Sequence, residues 1–230
     1  MKGFFVTGTD TGIGKTRVSA GLLKALSKSG LKTVGMKPVA SGAEPTPEGL
    51  RNDDALALQK AASERRDYAL VNPYCFAPPV APHLAAREAG VEISLDVLRA
   101  AYGELCRGVD AVVVEGVGGW QVPLASGLEV PDLAREFDLP VLLVVGMRLG
   151  CLNHALLTAR AIRGDGLELA GWVANAIDPE FQRPEANLAT LEAELGAPLL
   201  GRLAYAPKVS LAETAGGLTE AVAALAPVGR

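Results

Sequence analysis

With 230 residues, 49% of them apolar, 21% charged and 5% aromatic, the chain has the composition of a soluble globular protein, long enough to bury a substantial core in one domain, residues 1–230. A formal net charge of −4 and the lack of any basic tract weigh against a nucleic-acid partner. The apolar runs AVVV and PVLLVVGM fall well short of a membrane span, and MKGFFVTG enters a glycine-rich loop too soon to be a secretion signal.

Taken in chain order, short Val- and Leu-rich runs predict strands at Phe4–Val6, Thr33–Met36, Ala111–Val114, Val141–Val145, Leu169–Val173 and Leu199–Leu200. Helical spacing falls between several of them. Val18, Leu22, Leu23 and Leu26 share a face ahead of Gly30. Leu95, Leu98, Ala101 and Leu105 repeat the pattern before Gly108. Leu152, Leu156, Ala159 and Arg163 precede Gly164, and Leu188, Leu191 and Leu195 precede Gly196. Strands alternating with helices predict an α/β fold, a mostly parallel central sheet with helices on both faces. The Pro-rich stretch 70–92 is aperiodic and reads as an ordered loop over one edge, and a last helix is expected at about 211–225. Cys75, Cys106 and Cys151 are far apart, odd in number and without CxxC or zinc spacing, so they read as reduced thiols of a cytoplasmic protein.

The most informative segment is GTDTGIGKT, residues 8–16, between the first strand and the first helix. Glycines let a backbone wrap closely around an anion, and the helix N-terminus behind it adds a partial positive charge. Lys15 is placed to reach the outer phosphates of a nucleotide, and the Thr16 hydroxyl to meet Mg2+. The spacing departs from G-x-x-x-x-G-K-[ST]: Thr9 stands at the first glycine position and Gly8 comes one residue early. The context of strand, loop, Gly-Lys-Thr and helix makes this a P-loop NTPase-like reading all the same.

Glu115 closes the strand of VDAVVVEGVGG, where an acid can reach a phosphate-bound metal; facing solvent is the alternative. In RNDDALAL, Asn52 or Asp53 caps a helix and Asp54 falls in its first turn, which by spacing alone reads as a surface helix start. Lys37 ends the second strand and Ser41-Gly42 follows in a turn. Alone, such a lysine is as readily a solvated one. Next to a phosphate loop it gains a role, because fixed cations stabilise charge spread over a transferred phosphoryl group. No serine or cysteine triad is apparent.

The segments VTGTDTGIGKT, KPVASG, RNDDALAL, APPVAPHLAA, VEGVGGW, RLGCLNHALLT and GWVANAI, in this order from residue 4 to about 201, resemble dethiobiotin synthetases. The resemblance implies an ATP- and Mg2+-dependent ring closure of 7,8-diaminononanoate with CO2 (or bicarbonate) in biotin biosynthesis. A substrate carbamate would attack the γ-phosphorus, giving a carbamic-phosphoric anhydride that the second amine closes to a cyclic urea. By matching positions, Thr16, Asp54 and Glu115 would hold Mg2+; Lys15 and Lys37 would neutralise phosphates and carbamate; Thr11 and Ser41 would contact the reacting end of the substrate. Gly12, Ile13, Gly14 and Arg17, with Gly116, Val117 and Gly118, would line the nucleotide, Gly118 also lying near the diamine, and Asn175 with Ala176 would recognise adenine. Gly150, Cys151 and Leu152 would offer N–H groups to the distal carboxylate across a homodimer interface, with Asn153 nearby and Cys151 acting through its backbone. His83, His154, Trp120 and Trp172 are expected to be structural. Two departures from the resemblance are Gly12, where members carry glutamate, and Ala204–Tyr205, where a proline beside the base is replaced and Pro207 comes later. A glutamine-hydrolysing synthetase would need a further domain with a cysteine nucleophile. An ATP-driven positioning switch would carry another lysine ahead of Lys15, where this loop has none, and VANAID is not a guanine-selecting N-K-x-D.

Overall fold

The computed structural model describes residues 2–206 and 210–225. The first half of the chain runs β1 (Lys2–Gly8), α1 (Lys15–Lys28), β2 (Thr33–Met36), β3 (Val39–Ala40), β4 (Glu44–Thr46), β5 (Gly49–Arg51), α2 (Asp53–Ala61), α3 (Tyr68–Val71), β6 (Tyr74–Cys75), α4 (Pro82–Glu88) and α5 (Leu95–Leu105). It continues with β7 (Ala111–Glu115), β8 (Pro123–Ala125), β9 (Leu128–Glu129), α6 (Val130–Glu136), β10 (Val141–Met147), α7 (Cys151–Gly164), β11 (Leu169–Ala176), α8 (Pro184–Glu194), β12 (Leu199–Leu203), α9 (Leu211–Gly216) and α10 (Thr219–Leu225).

All six predicted strands fall in one sheet, ordered β12-β11-β10-β1-β7-β2, and every pairing in it is parallel. A parallel sheet must be covered on both faces, which is why its central strands carry apolar runs instead of alternating. Neighbours along β1 point to opposite sides. Phe5 packs with Val112, Val114, Leu143 and Trp172 beneath α5, α6 and α7, while Phe4 and Val6 pack with Val113, Leu142 and Val144 against α1. Glycines in the strands mark close approach. A Cβ on Gly35 would lie 2.8 Å from Leu58 of α2, and one on Gly171 only 2.3 Å from Leu200.

Strand order decides where the site forms. From β1 the chain moves through α1 to β2 on one side, then returns to β7 and crosses to β10 on the other. The carboxyl ends of β1, β2, β7, β10 and β11 therefore open on one edge, and the crevice at the reversal lies beside β1, where α/β sheets bind ligands.

Two expectations are corrected. The stretch 70–92 contains the end of α3, the short β6 and the helix α4. Pro82 stands at the first turn of α4, where its fixed φ suits a helix, and Ala85 and Ala86 bury its inner face; so small a face gives little periodicity to read. The expected helix at 211–225 is two, α9 and α10, separated around Gly217. There the chain presses on the sheet: a Cβ on Gly201 would meet the Gly217 carbonyl oxygen at 2.7 Å. Pro207 lies outside the described residues.

Candidate active site

The loop after β1 takes its shape from glycines that cannot be replaced cheaply. Gly12 (φ 74°) and Gly14 (φ 89°) are left-handed, and Gly14 caps α1. A Cβ on Gly14 would sit 2.2 Å from Nδ2 of Asn175. The early Gly8 also has a reason: a Cβ there would strike Ile13 Cδ1 at 2.7 Å and crowd the Lys15 stem at 3.1 Å. Lys15 thus folds back over the strand end, buried, with Nζ donating to the Asp10 carbonyl at 2.8 Å. Burial, and then the nearby Lys37, push the Lys15 ammonium down to about 8.

Around that loop two strand ends and the first turn of α2 bring three charged groups together. Glu115, the last residue of β7, is fully buried and so does not face solvent. Lys37, directly after β2, places Nζ 2.6 Å from Glu115 Oε1, 2.9 Å from Asp54 Oδ2 and 3.2 Å from the Gly116 carbonyl. Asp54 corrects the surface reading of its helix. Asn52 is the cap, accepting from the Asp54 and Ala55 N–H groups, and this frees the Asp54 carboxylate to turn inward. Burial would lower the Lys37 ammonium, but the carboxylates of Glu115 and Asp54 outweigh it and hold it above the usual lysine value. Burial would likewise raise Asp54, but Lys37 and the Thr16 hydrogen bond hold it below the carboxylate range. Lys37 and Asp54 therefore each hold the other in its charged form.

Thr16 stands between the same two acids, Oγ1 lying 2.6 Å from Asp54 Oδ1 and 3.0 Å from Glu115 Oε1. A hydroxyl has one proton, so it satisfies one of these oxygens at a time. Glu115 Oε2 is buried without a hydrogen-bond partner among the described residues. An orphaned carboxylate oxygen beside a hydroxyl and a second carboxylate is a donor set of hard oxygens, which suits Mg2+.

These residues line a cleft of about 800 Å³ together with Thr11, Gly12, Gly14, Ser41, Val117 and Gly118. The Ser41 hydroxyl is buried and unpartnered, ready for a ligand. The wall opposite comes from Pro79, Val80, Ala81 and Pro82, and Asn52 closes one side. Sequence reasoning gave none of these five a place in the site: Asn52 was expected only as a helix cap, and residues 79–82 only belonged to a segment shared with the family. It also missed Asp10 and Arg148. Arg148 Nη2 donates to Asp10 Oδ2 at 2.5 Å, tying the turn after β10 to the phosphate loop.

Other predicted residues lie apart. Asn175 grips the loop, donating from Nδ2 to the Ile13 carbonyl (2.8 Å) and accepting from Arg17 at Oδ1 (3.0 Å). Arg17 also donates to the Ala204 carbonyl at 3.0 Å. Ala176 faces a second cavity, of about 440 Å³, walled also by Met147, Phe181, Leu203, Ala204 and Tyr205. Gly150, Cys151, Leu152 and Asn153 do not line the cleft of their own chain. Gly150 (φ 93°) caps α7 as expected, but the Cys151 N–H is already donated to the Arg148 carbonyl at 3.0 Å, which corrects its place among the free donors. Trp120 packs edge-on against Phe5 and donates Nε1 to Asp165 at 2.7 Å; Trp172 is core.

Residues 2–213 match the AAA domain family. Over 204 residues, 88% of this chain and 90% of the relative, the sequence is 60% identical to the ATP-dependent dethiobiotin synthetase BioD of Pseudomonas aeruginosa strain UCBPP-PA14. Over 215 residues, 94% of this chain and 96% of the relative, it is 53% identical to the enzyme of the same name from Xanthomonas euvesicatoria pv. vesicatoria. The chain belongs to the ATP-dependent dethiobiotin synthetase family, P-loop enzymes of biotin biosynthesis. Among solved structures, the MinC:MinD cell division protein complex of Aquifex aeolicus superposes with a TM-score of 0.62 at 16% identity, covering 100% of this chain and 99% of that one. A ParA family ATPase from Chlorobium tepidum does so at 0.56, with 99% and 94% covered. At such identity these neighbours share the fold, and the synthetase relatives carry the family.

Proposed function

We propose that a single domain carries an ATP-dependent ring closure of 7,8-diaminononanoate with CO2 to dethiobiotin, in the cytoplasm, by a homodimer whose sites are shared between subunits. Among the described residues no helix is long and apolar enough to cross a membrane. The observation that carries the reading is the convergence of Lys15, Thr16, Lys37, Asp54 and Glu115 on one cleft beside an unpartnered Ser41 hydroxyl.

The phosphate loop takes the triphosphate, with Gly12, Gly14 and Lys15 around its anionic oxygens. Thr16, Asp54 and Glu115 would hold Mg2+, which when bound draws charge from the β- and γ-phosphates. The nucleophile is the carbamate oxygen of the substrate, so no protein nucleophile is needed. The chain's work is positioning and charge neutralisation: Lys37 meets the carbamate and the γ-phosphoryl oxygens, while Ser41 and Thr11 orient the reacting end. The carbamate displaces ADP from the γ-phosphorus; the second amine then attacks the carbamate carbon and phosphate leaves. The adenine would occupy the cavity beside Ala176, the residue next to Asn175 on β11. The distal carboxylate would meet the Gly150–Asn153 turn of the other subunit. Leu149 in the turn, 90% exposed, and Leu157 of α7, 54% exposed, support a partner over the turn and the first half of that helix.

Incubation with the diamine, bicarbonate and Mg-ATP, followed by mass measurement, should give dethiobiotin and one phosphate per ring formed. Phosphate released just as fast without the diamine would defeat the reading.

A further inference from the structure

We infer that the Lys37 ammonium is a built-in counter-cation that bars a free divalent metal from the site, so that the metal enters only as its nucleotide complex. This rests on the metal reading of Thr16, Asp54 and Glu115 given above and goes one step past it. An ammonium has three hydrogens, and Nζ has three acceptors: Glu115 Oε1 (2.6 Å), Asp54 Oδ2 (2.9 Å) and the Gly116 carbonyl (3.2 Å). It is saturated, and its side chain is 4% exposed. Two of those acceptors are the carboxylates that the metal would need. Mg2+ binds oxygens at roughly 2.0–2.1 Å, so an ammonium in hydrogen-bond contact with the same oxygens competes directly with it.

Charge balance gives the competition its direction. Lys15 and Lys37 face Asp54 and Glu115, two positive groups against two negative ones. A bare dication adds two positive charges to a site whose charges already balance and in which Lys37 and Glu115 are buried, and buried charge without compensation is costly. Brought with a triphosphate tail, the same ion arrives inside a net anion. The phosphate oxygens then offer Lys37 and Lys15 new acceptors while the metal takes the carboxylates.

The Lys37 backbone is pinned on both sides: its N–H donates to the Val71 carbonyl at 2.8 Å, and its carbonyl accepts from Asn72 Nδ2 at 2.7 Å. The exchange is confined to the side chain, which opens onto the cleft that Ser41 lines. Buried Glu115 Oε2, lacking a partner, is a ready acceptor for the incoming ion. Entry of the metal and release of the lysine toward the reacting groups are thereby one event.

Mn2+ binding, followed by the loss of its free electron-paramagnetic-resonance signal, tests this on the full chain with and without a β,γ-imido ATP analogue. The unaltered chain should hold Mn2+ at least about 100-fold more weakly without the analogue than with it. Lys37→Met should raise nucleotide-free Mn2+ affinity at least about tenfold, and adding Asp54→Asn should remove the gain. Lys37→Gln serves in the same way if the methionine variant does not fold, and the comparison on the unaltered chain needs no variant. Equal Mn2+ affinity with and without the analogue, or no gain in either Lys37 variant, would overturn the inference and leave the metal ligands standing. Mn2+–nucleotide binding indifferent to Asp54→Asn alone would remove the metal reading, and the inference with it.

Discussion

The cleft end of the proposed substrate path and the turn after β10 are built on opposite principles. In the cleft, Lys37, Asp54, Glu115 and Thr16 come from four separate segments and pair with one another within the chain, only Glu115 Oε2 among their carboxylate oxygens lacking a partner among the described residues. At the turn, Leu149 is exposed to solvent, the Asn153 side chain makes no hydrogen bond among the described residues, and residues 150–153 do not line the cleft of their own chain. Buried charges need partners before any ligand arrives, because an unpaired one destabilises the fold. A helix start at the surface has water, so it can wait for a second surface. On the proposed reading, the chain would complete its phosphate chemistry alone and leave recognition of the far end to assembly.

The largest effect is expected where completeness is greatest. Lys37→Ala should lower turnover about 10³-fold, because the charge it removes is aimed at the transferred group, while nucleotide affinity stays within a few-fold. Single-turnover rates with separately measured nucleotide binding check this. A large loss of affinity with normal turnover would place Lys37 in ground-state binding only. Leu149→Asp tests the other side. A carboxylate in a buried interface should weaken dimerisation by about 2 kcal/mol or more, seen as monomer in sedimentation, with activity becoming dependent on protein concentration. Full activity from a monomer would show that one chain suffices.

What the sequence made legible follows the same division. Strand runs such as Ala111–Val114 are buried on both faces and carry an apolar signal no surface can mimic, so all six were readable. The loop 8–16 was readable because its glycines and Gly-Lys-Thr do their work locally. Asp54 was not, since its role depends on Thr16, 38 positions away, and on Asn52 taking the cap. Spacing sees the helix start and cannot see what faces it. Asp10–Arg148, separated by 138 positions, gave no signal at all for the same reason. Helix α4 was lost because Pro82 and Pro-rich neighbours mask a face of only two alanines. The resemblance to the synthetases supplied what periodicity lacked, and the 53–60% identical relatives carry that family assignment.

A smaller effect should come from the loop that shapes the cleft. Gly14→Ala puts a Cβ at φ 89° and 2.2 Å from Asn175 Nδ2, so the amide must leave the Ile13 carbonyl or the loop must shift. A cost of about 1–3 kcal/mol is expected. It should appear as a lower Tm and as roughly tenfold weaker nucleotide binding, with diamine binding nearly untouched. Equal losses of both ligands would mean that the loop also shapes the turn, through the Asp10–Arg148 ion pair.

The smallest effect is predicted for Cys151→Ser, and it separates a role for the turn's backbone from one for its sulfur. Cys151 begins α7, and a helix N-terminus ordinarily stabilises a thiolate. Here burial outweighs the surrounding N–H groups and pushes the thiol up, so the sulfur stays protonated and inert at neutral pH. Its side chain packs in the core with Met147 and Ala155. A hydroxyl in that position should cost about 1 kcal/mol of stability, a modest fall in Tm, while the helix start keeps its geometry. Turnover and diamine affinity should both remain within about twofold. A tenfold loss of diamine affinity in a variant of near-normal Tm would give the sulfur a part in recognition, and the turn could no longer be treated as a backbone device waiting for its partner surface.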